Sequence, residues 1–249
     1  KIDVKRPCIN ECYAEFIPEE NKLFYALSAI KNVGYEAISL LVKERKKNGK
    51  FKSISDFINR VNPKNINKLQ LEGLVKAGTF DSIFNNRKVL FDNIPNIIQN
   101  SKTIHENKIN NQTSLFSEDG HKISYLMNNK NATDWNNEEI LSKEFESVGF
   151  YLSNHPLNEY EDALEMYKVK TFKEFENDVN KESFLAGTIM SIKEKKTIKG
   201  SSFAIIKFSD LSSVFELFIF SEILEQNRKN LIEGQSFLLT VIKDKENEN

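Results

Sequence analysis

The residues of this chain best suited to chemistry are those that could hold a phosphate. Lys31-Asn32-Val33-Gly34 interrupts one helical pattern, and a second helical pattern follows at once. Backbone N–H groups at such a turn, with the positive end of the next helix behind them, form an anion site that fits a phosphate. Lys31 in the turn, Lys43, Lys46 and Lys47 beyond it, and Lys64 and Lys68 further on supply positive charge. Binding of this kind reads a nucleic-acid backbone rather than its bases and weakens with salt. An ordinary αα-hairpin with a solvated basic face has the same pattern.

Catalytic constellations are missing from the sequence. His105, His121 and His155 are scattered, and no HExxH, GxSxG, P-loop or GxGxxG spacing occurs. Glu138 and Glu139 are adjacent acids in an acidic helical stretch, where solvation is the expected role. His155, before Pro156, reads as a structural histidine. Cys8 and Cys12 make neither a disulfide framework nor a zinc site, since no second pair completes one. By its own residues this stretch does no chemistry, and neither metal nor cofactor is expected in it.

The 249 residues are 39% hydrophobic and 29% charged, which excludes a collagen-like or wholly disordered chain. No apolar run approaches the roughly 18 residues that span a bilayer, so no membrane partner is expected. Lys1-Ile2-Asp3-Val4-Lys5 has neither an initiating Met nor the apolar core of a signal peptide, and a reducing cytoplasm is the expected compartment. The formal net charge of -1 argues against a nucleic-acid binder only when taken globally. Residues 43–76 hold ten bases and three acids, whereas residues 134–165 hold nine acids and one base, Lys143. The near-zero total is a cancellation between segments.

These residues need elements to position them. Leu23, Ala26, Leu27 and Ile30 keep helical spacing, and Ala37, Ile38, Leu41 and Val42 resume it as far as Asn48-Gly49. Ser53 with Asp56 caps a short helix carrying Phe57, Ile58 and Val61. Residues 65–77 form another helix with Leu69, Leu74 and Val75 inward and Gly78 at its end, and a last one spans residues 87–100 with a kink at Pro95. Residues 101–133 are a polar linker broken by one apolar island, Gln112-Thr113-Ser114-Leu115-Phe116. Leu115 and Phe116 could anchor a short motif in a partner's pocket or fold back onto the helical half. After residue 181 the period changes to strands over residues 183–192, 202–209, 214–220 and 236–242, with a helix over 222–230. That order is the order of an OB-fold barrel, which closes with a fifth strand; here the sequence ends first, so an incomplete barrel is expected. Lys193, Lys195, Lys196 and Lys199 in its first connection could hold a single strand, with aromatics for stacking. Alternation puts Phe208 and Phe218 inside.

Several stretches in this order resemble one family, the C-terminal part of the bacterial replicative DNA polymerase III alpha subunit. Ile9-Asn10-Glu11, Phe16 and Leu27-Ser28-Ala29-Ile30-Lys31-Asn32-Val33-Gly34 resemble the junction from its fingers into a tandem helix-hairpin-helix domain. Phe51-Lys52-Ser53-Ile54-Ser55-Asp56-Phe57 and Leu71-Glu72-Gly73-Leu74-Val75-Lys76-Ala77-Gly78 continue the match. Residues 112–116 stand where the family carries its sliding-clamp motif, and Gly149-Phe150-Tyr151-Leu152-Ser153-Asn154-His155-Pro156-Leu157 resembles the approach to its OB domain. Asn32 and Asn154 each replace a Gly; Asn tolerates the left-handed conformation better than other non-Gly residues. The resemblance implies a multi-domain α+β chain. Residues 1–22 would end the fingers, 23–100 form the all-α helix-hairpin-helix module, 101–133 the tether, 134–180 an acidic connector and 181–249 the incomplete OB domain. It implies a non-catalytic segment of a template-directed DNA polymerase. The implied partners are duplex DNA, the sliding clamp, and single-stranded DNA or other replisome subunits. The catalytic aspartates and their Mg²⁺ would lie in a preceding region. An interaction protein without a nucleic-acid role, or an accessory nuclease or ligase using the same modules, are the rival readings.

Overall fold

A computed structural model describes residues 2–109, 132–197 and 200–243. They form two compact units, divided between Leu152 and Ser153.

The first unit opens with three short strands, β1 (Asp3–Lys5), β2 (Ile17–Glu19) and β3 (Lys22–Phe24), in the order β1-β3-β2. β3 and a single 3-10 turn at Leu27–Ala29 replace the helix expected around Leu23 and Ile30. The backbone of Leu23 is taken by pairing with Val4 and Pro18, and of that pattern Ala26, Leu27 and Ile30 are buried. Helix α1 (Tyr35–Asn48) buries Ala37, Ile38 and Leu41 and stops at Gly49 as its spacing predicts. Helix α2 (Ile54–Arg60) starts where the Ser53 hydroxyl accepts the Asp56 amide, and α3 (Lys68–Lys76) starts with a capping box between Asn67 and Gln70. In α3 it is Leu71, Leu74 and Val75 that face the core, while Leu69 points outward, 57% exposed. Helices α4 (Arg87–Asp92) and α5 (Ile94–Ile109) break at Asn93. Pro95, expected to kink one helix, lies in the first turn of the second, where a missing N–H costs nothing. Phe51, Phe57 and Phe80 stack edge to face in the centre of the unit.

Helix α6 (Asn137–Val148) is the acidic helix, and Gly149, left-handed at φ 88°, ends it. It belongs to the first unit, although its composition reads as part of a connector running to residue 180. Glu138 and Glu139 are exposed, but Glu144 is almost wholly buried. Its carboxylate accepts from the Arg87 guanidinium at 2.9 Å, and Arg87 also holds Asp81 at 2.6 Å. Trp135 packs on Phe91, and the Asp134 carboxylate accepts the Lys88 amide.

The second unit begins with a 3-10 turn at Pro156–Tyr160, followed by α7 (Glu161–Met166) and α8 (Phe172–Glu176). Four antiparallel strands follow: β4 (Glu182–Lys196), β5 (Ser202–Ser209), β6 (Val214–Ile219) and β7 (Ser236–Ile242), with α9 (Ser221–Asn227) before the last. The sheet order is β6-β5-β4-β7. The long β4 pairs its first half with β7 and its second half with β5, with a bulge between Ile189 and Ser191. A bulge bends its strand, so the sheet curls into an OB-like half-barrel around Leu185, Ile189, Ile206 and Phe208. Phe215 faces this core opposite Phe208, which puts Phe218, three residues later, on the outer face at 60% exposure. The expectation that Phe218 points inward is therefore corrected by the register. His155 is structural. Its Nδ1 accepts the Leu157 amide at 3.2 Å, so Nε2 carries the proton and donates to Ser209 Oγ at 3.0 Å.

Two predictions follow from this packing. Burial holds the His155 pKa below its ordinary value, despite the opposing charge of Asp210. Below about pH 6.5 the unfolded chain takes up this proton more readily than the folded one. Stability is thus full above that pH and falls on acidification toward the lower folded pKa. Unfolding midpoints between pH 7.5 and 5.5 should fall less in His155→Gln than in the parent; equal slopes would remove this role. Gly73 carries the second: a Cβ there would lie 2.7 Å from the Lys31 carbonyl oxygen, a backbone atom. Gly73→Ala should destabilise by about 1–3 kcal/mol in urea unfolding, although helix propensity alone favours Ala by about 1 kcal/mol. A stabilised variant would show that the close approach has no consequence.

Candidate nucleic-acid interface

The turn of residues 30–34 has the geometry its sequence suggests. Asn32 adopts φ 65°, the left-handed conformation that Asn accommodates in place of Gly. Lys31, Asn32 and Gly34 are exposed, and Val33 is buried beneath them. Gly34 is the N-cap of α1 and offers no side chain to the first-turn amides. The side chains of Ser53, Asn67, Asn86 and Asn136 cap α2, α3, α4 and α6. The first N–H groups of any helix lack intrahelical partners, so α1 presents open donors where α2, α3, α4 and α6 do not.

Both sides of the turn are braced. Helix α3 lies against one side, where Gly73 admits the Lys31 carbonyl and a Cβ on Gly34 would come within 3.3 Å of the Gln70 amide nitrogen. The end of α6 braces the other side, where the Ser147 carbonyl accepts the Lys31 amide at 2.8 Å. The Ile30 and Val33 amides likewise donate to the Leu27 and Ile30 carbonyls, so three N–H groups of the turn are satisfied internally, which narrows the open donors to Asn32 and the start of α1. A second turn, around Gly78 at φ 73°, is closed. Its amides return to Gly73, Leu74 and Val75, and Arg87 fills the space beside it.

The lysines are not all brought together. Lys43 and Lys47 share one helical stripe with Glu36 and Leu40, as their spacing requires. Lys46 turns away, its ammonium 5.5 Å from the Tyr13 ring. Lys64 is exposed in the connection to α3, and Lys68 opens α3 beside Glu72, 3.6 Å away. Two arginines of the basic stretch serve the fold instead. Arg45 donates to the Ile9 and Cys12 carbonyls, and Arg60 binds Glu44 and Asp56 while lying over the Phe51 ring.

Sequence reasoning did not single out Lys76. It lines a cleft of about 230 Å³ with Lys31, Asn32, Leu69, Glu72 and Glu146. Its ammonium is 2.6 Å from a Glu146 oxygen and 5.5 Å from the Phe91 ring. Burial raises the Glu146 pKa, but the hydrogen bond and charge of Lys76, with help from Lys143, outweigh it and hold the carboxyl below its ordinary range. The basic count over residues 43–76 includes Lys76. The packing of α3 on the turn at Gly73 brings it there, and its carboxylate partner comes from α6, 70 residues away along the chain.

In the second unit, register sorts the lysines of β4. Lys193 and Lys195 stand opposite Ile205 and Phe203, on the outer face that also carries Phe218. Lys196 alternates to the other side with Glu194, which pairs with Arg228 at 3.0 Å. Lys199 lies outside the described residues, as does the whole of Gln112, Thr113, Ser114, Leu115 and Phe116. Among the described residues, no group of three or more His, Cys, Asp or Glu side chains could hold a metal ion. No helix among them is long and apolar enough to cross a membrane.

Residues 1–90 match the family model of the helix-hairpin-helix motif. The chain is 33% identical over 239 residues to a DNA polymerase III subunit alpha of Borreliella burgdorferi, an alignment covering 94% of this chain and 21% of that protein. The proteins of the same name from Caulobacter vibrioides and Rickettsia prowazekii are 32% and 35% identical, across 96% and 92% of this chain and 21% and 20% of theirs. The chain therefore spans about a fifth of the length of the curated relatives it matches. Across nearly all of its own length, it is homologous to one stretch of the DNA polymerase III alpha subunits.

Proposed function

We propose that this chain is a non-catalytic C-terminal portion of a template-directed DNA polymerase acting in chromosomal replication in the cytoplasm. Its first unit grips the phosphates of duplex DNA. The observation that carries this reading is the uncapped start of α1 behind Lys31, within a stretch matched by a helix-hairpin-helix model. Amides and lysines in this arrangement contact backbone and leave the bases unread. Lys43 and Lys47 extend the contact along α1, and Lys64 and Lys68 stand at the near end of α3.

In this reading residues 112–116 bind the sliding clamp. A weak contact of that kind acts through effective concentration: it keeps the polymerase near the primer end between binding events. The outer face of the second unit, with Lys193, Lys195, Phe203 and Phe218, suits a single strand, since cations and aromatic rings together hold phosphates and stack bases. A protein partner in the replisome suits the β7 end of that sheet better. There an apolar groove is lined by Leu157, Tyr160, Leu164, Tyr167 and Leu238, and Glu161 and Glu165 lie beside it. Mg²⁺, in this reading, serves the catalytic region of the larger polymerase.

Two experiments test it. Lys31→Glu should weaken binding to a labelled duplex by about tenfold at low salt, equally for unrelated sequences, and should lower the salt slope by about 1. Gly34→Pro removes one open amide and should act in the same direction, because φ of -79° already suits proline. Unchanged binding in both variants would end the duplex assignment. Separately, replacing Leu115 and Phe116 by Ala should abolish capture by immobilised sliding clamp while duplex affinity stays within twofold, roughly the effect of a surface change. Retained capture would exclude residues 112–116 as the tether.

A further inference from the structure

The cleft beside the turn has a feature that the duplex reading leaves unused. Two cations, Lys31 and Lys76, and two carboxylates, Glu72 and Glu146, line it. Lys31 is exposed and has no ion pair among the described residues. The Lys76 side chain is only 15% exposed, with its ammonium held between the Phe91 ring and the Glu146 carboxylate. An ammonium in such a place needs an anion, because a half-buried unpaired charge is costly. Glu72 is held on α3 beside Lys68, with its side chain 21% exposed. Glu146 is 53% exposed, on a long side chain at the cleft mouth, and shares its second oxygen with Lys143. Of the two acids, Glu146 is the one that can swing out into water without disturbing the packing.

We propose that this cleft is a phosphate subsite for a DNA backbone phosphodiester, with Lys31 and Lys76 as its cations and Glu146 as the carboxylate that the phosphate displaces. The proposal rests on the duplex-binding reading of the turn and adds Lys76 to it. Glu146 stands in for the phosphate when no DNA is present, so Lys76 is never left uncompensated. Exchange of one anion for another also makes release cheap, which suits a grip that must pass from phosphate to phosphate as the duplex moves.

The test is a salt titration of the full 249-residue chain with a fluorescein-labelled blunt duplex. Glu146→Gln should bind about two- to fivefold tighter at low salt, the range of an exposed ion pair converted to affinity. Its plot of log K against log salt should steepen by up to about 0.9, because a displaced carboxylate in the parent takes up a cation that offsets one released from the phosphate, and Gln takes up none. Adding Lys76→Met should erase both gains; a merely structural effect of Glu146 would leave the slope alone. Unchanged affinity and slope in Glu146→Gln, with Lys31→Glu still weakening binding, would overturn the subsite and leave the duplex grip standing. If Lys31→Glu also had no effect, both would fall. Weaker binding by Glu146→Gln with an unchanged thermal midpoint would overturn the displaced-carboxylate role as well.

Discussion

The arrangement of the first unit depends on the Arg87 guanidinium. It lies almost wholly buried between Asp81, just beyond the Gly78 turn, and Glu144 on α6. Burying such an ion pair brings little net stability, because desolvation offsets attraction, but removing one partner costs about 3–5 kcal/mol. The pair therefore acts as a constraint rather than as a source of stability. It fixes α6 against α3 and α4 in one register. That register delivers the Ser147 carbonyl to the Lys31 amide and Glu146 to Lys76. The state of the turn at residues 30–34 is thus set from two sides: by Gly73 on α3 and by an acidic helix whose own anchor is Arg87.

Accounting for helix ends explains why this turn and not the other is the candidate site. Four helices of the unit spend a Ser or Asn side chain on their first amides, and the Gly78 turn satisfies its donors within its own backbone. Buried or half-buried N–H groups without partners are costly, so a structure that closes these ends leaves little choice about where an anion can dock. The start of α1 is exposed and bears Gly34, so water or a phosphate must supply the acceptors.

Most of what was legible in the sequence is local. The Ser53 cap, the stop at Gly49, the left-handed Asn32 and the order of strands and helix in the second unit depend on neighbours within a few residues. What was not legible depends on long separations. Strands β1 to β3 have three residues each and too little alternation to register, and β1 and β3 pair in parallel across an intervening segment. Arg87 and Glu144 are 57 residues apart, and nothing in either neighbourhood marks them as partners. Phe218 failed for a simpler reason: the inward residue of β6 is Phe215, and an odd offset from it reverses the face. Helical spacing alone leaves the choice between Leu69 and Leu71 open, and packing buries Leu71.

The same long-range pairing changes what the charge pattern means. As separate segments, the basic stretch and the acidic stretch suggest a DNA-binding module followed by a repelling connector. In the structure part of the acidic stretch is the counter-charge of the basic module, with Glu144 and Glu146 spent on Arg87 and Lys76. Arg45 and Arg60 are likewise held by carbonyls and carboxylates within the fold. The excess over residues 43–76 therefore overstates the field that reaches solvent. Lys43, Lys46, Lys47, Lys52 and Lys64 are exposed and carry no ion pair among the described residues, so the field that reaches solvent comes from these five and from Lys31 in the turn.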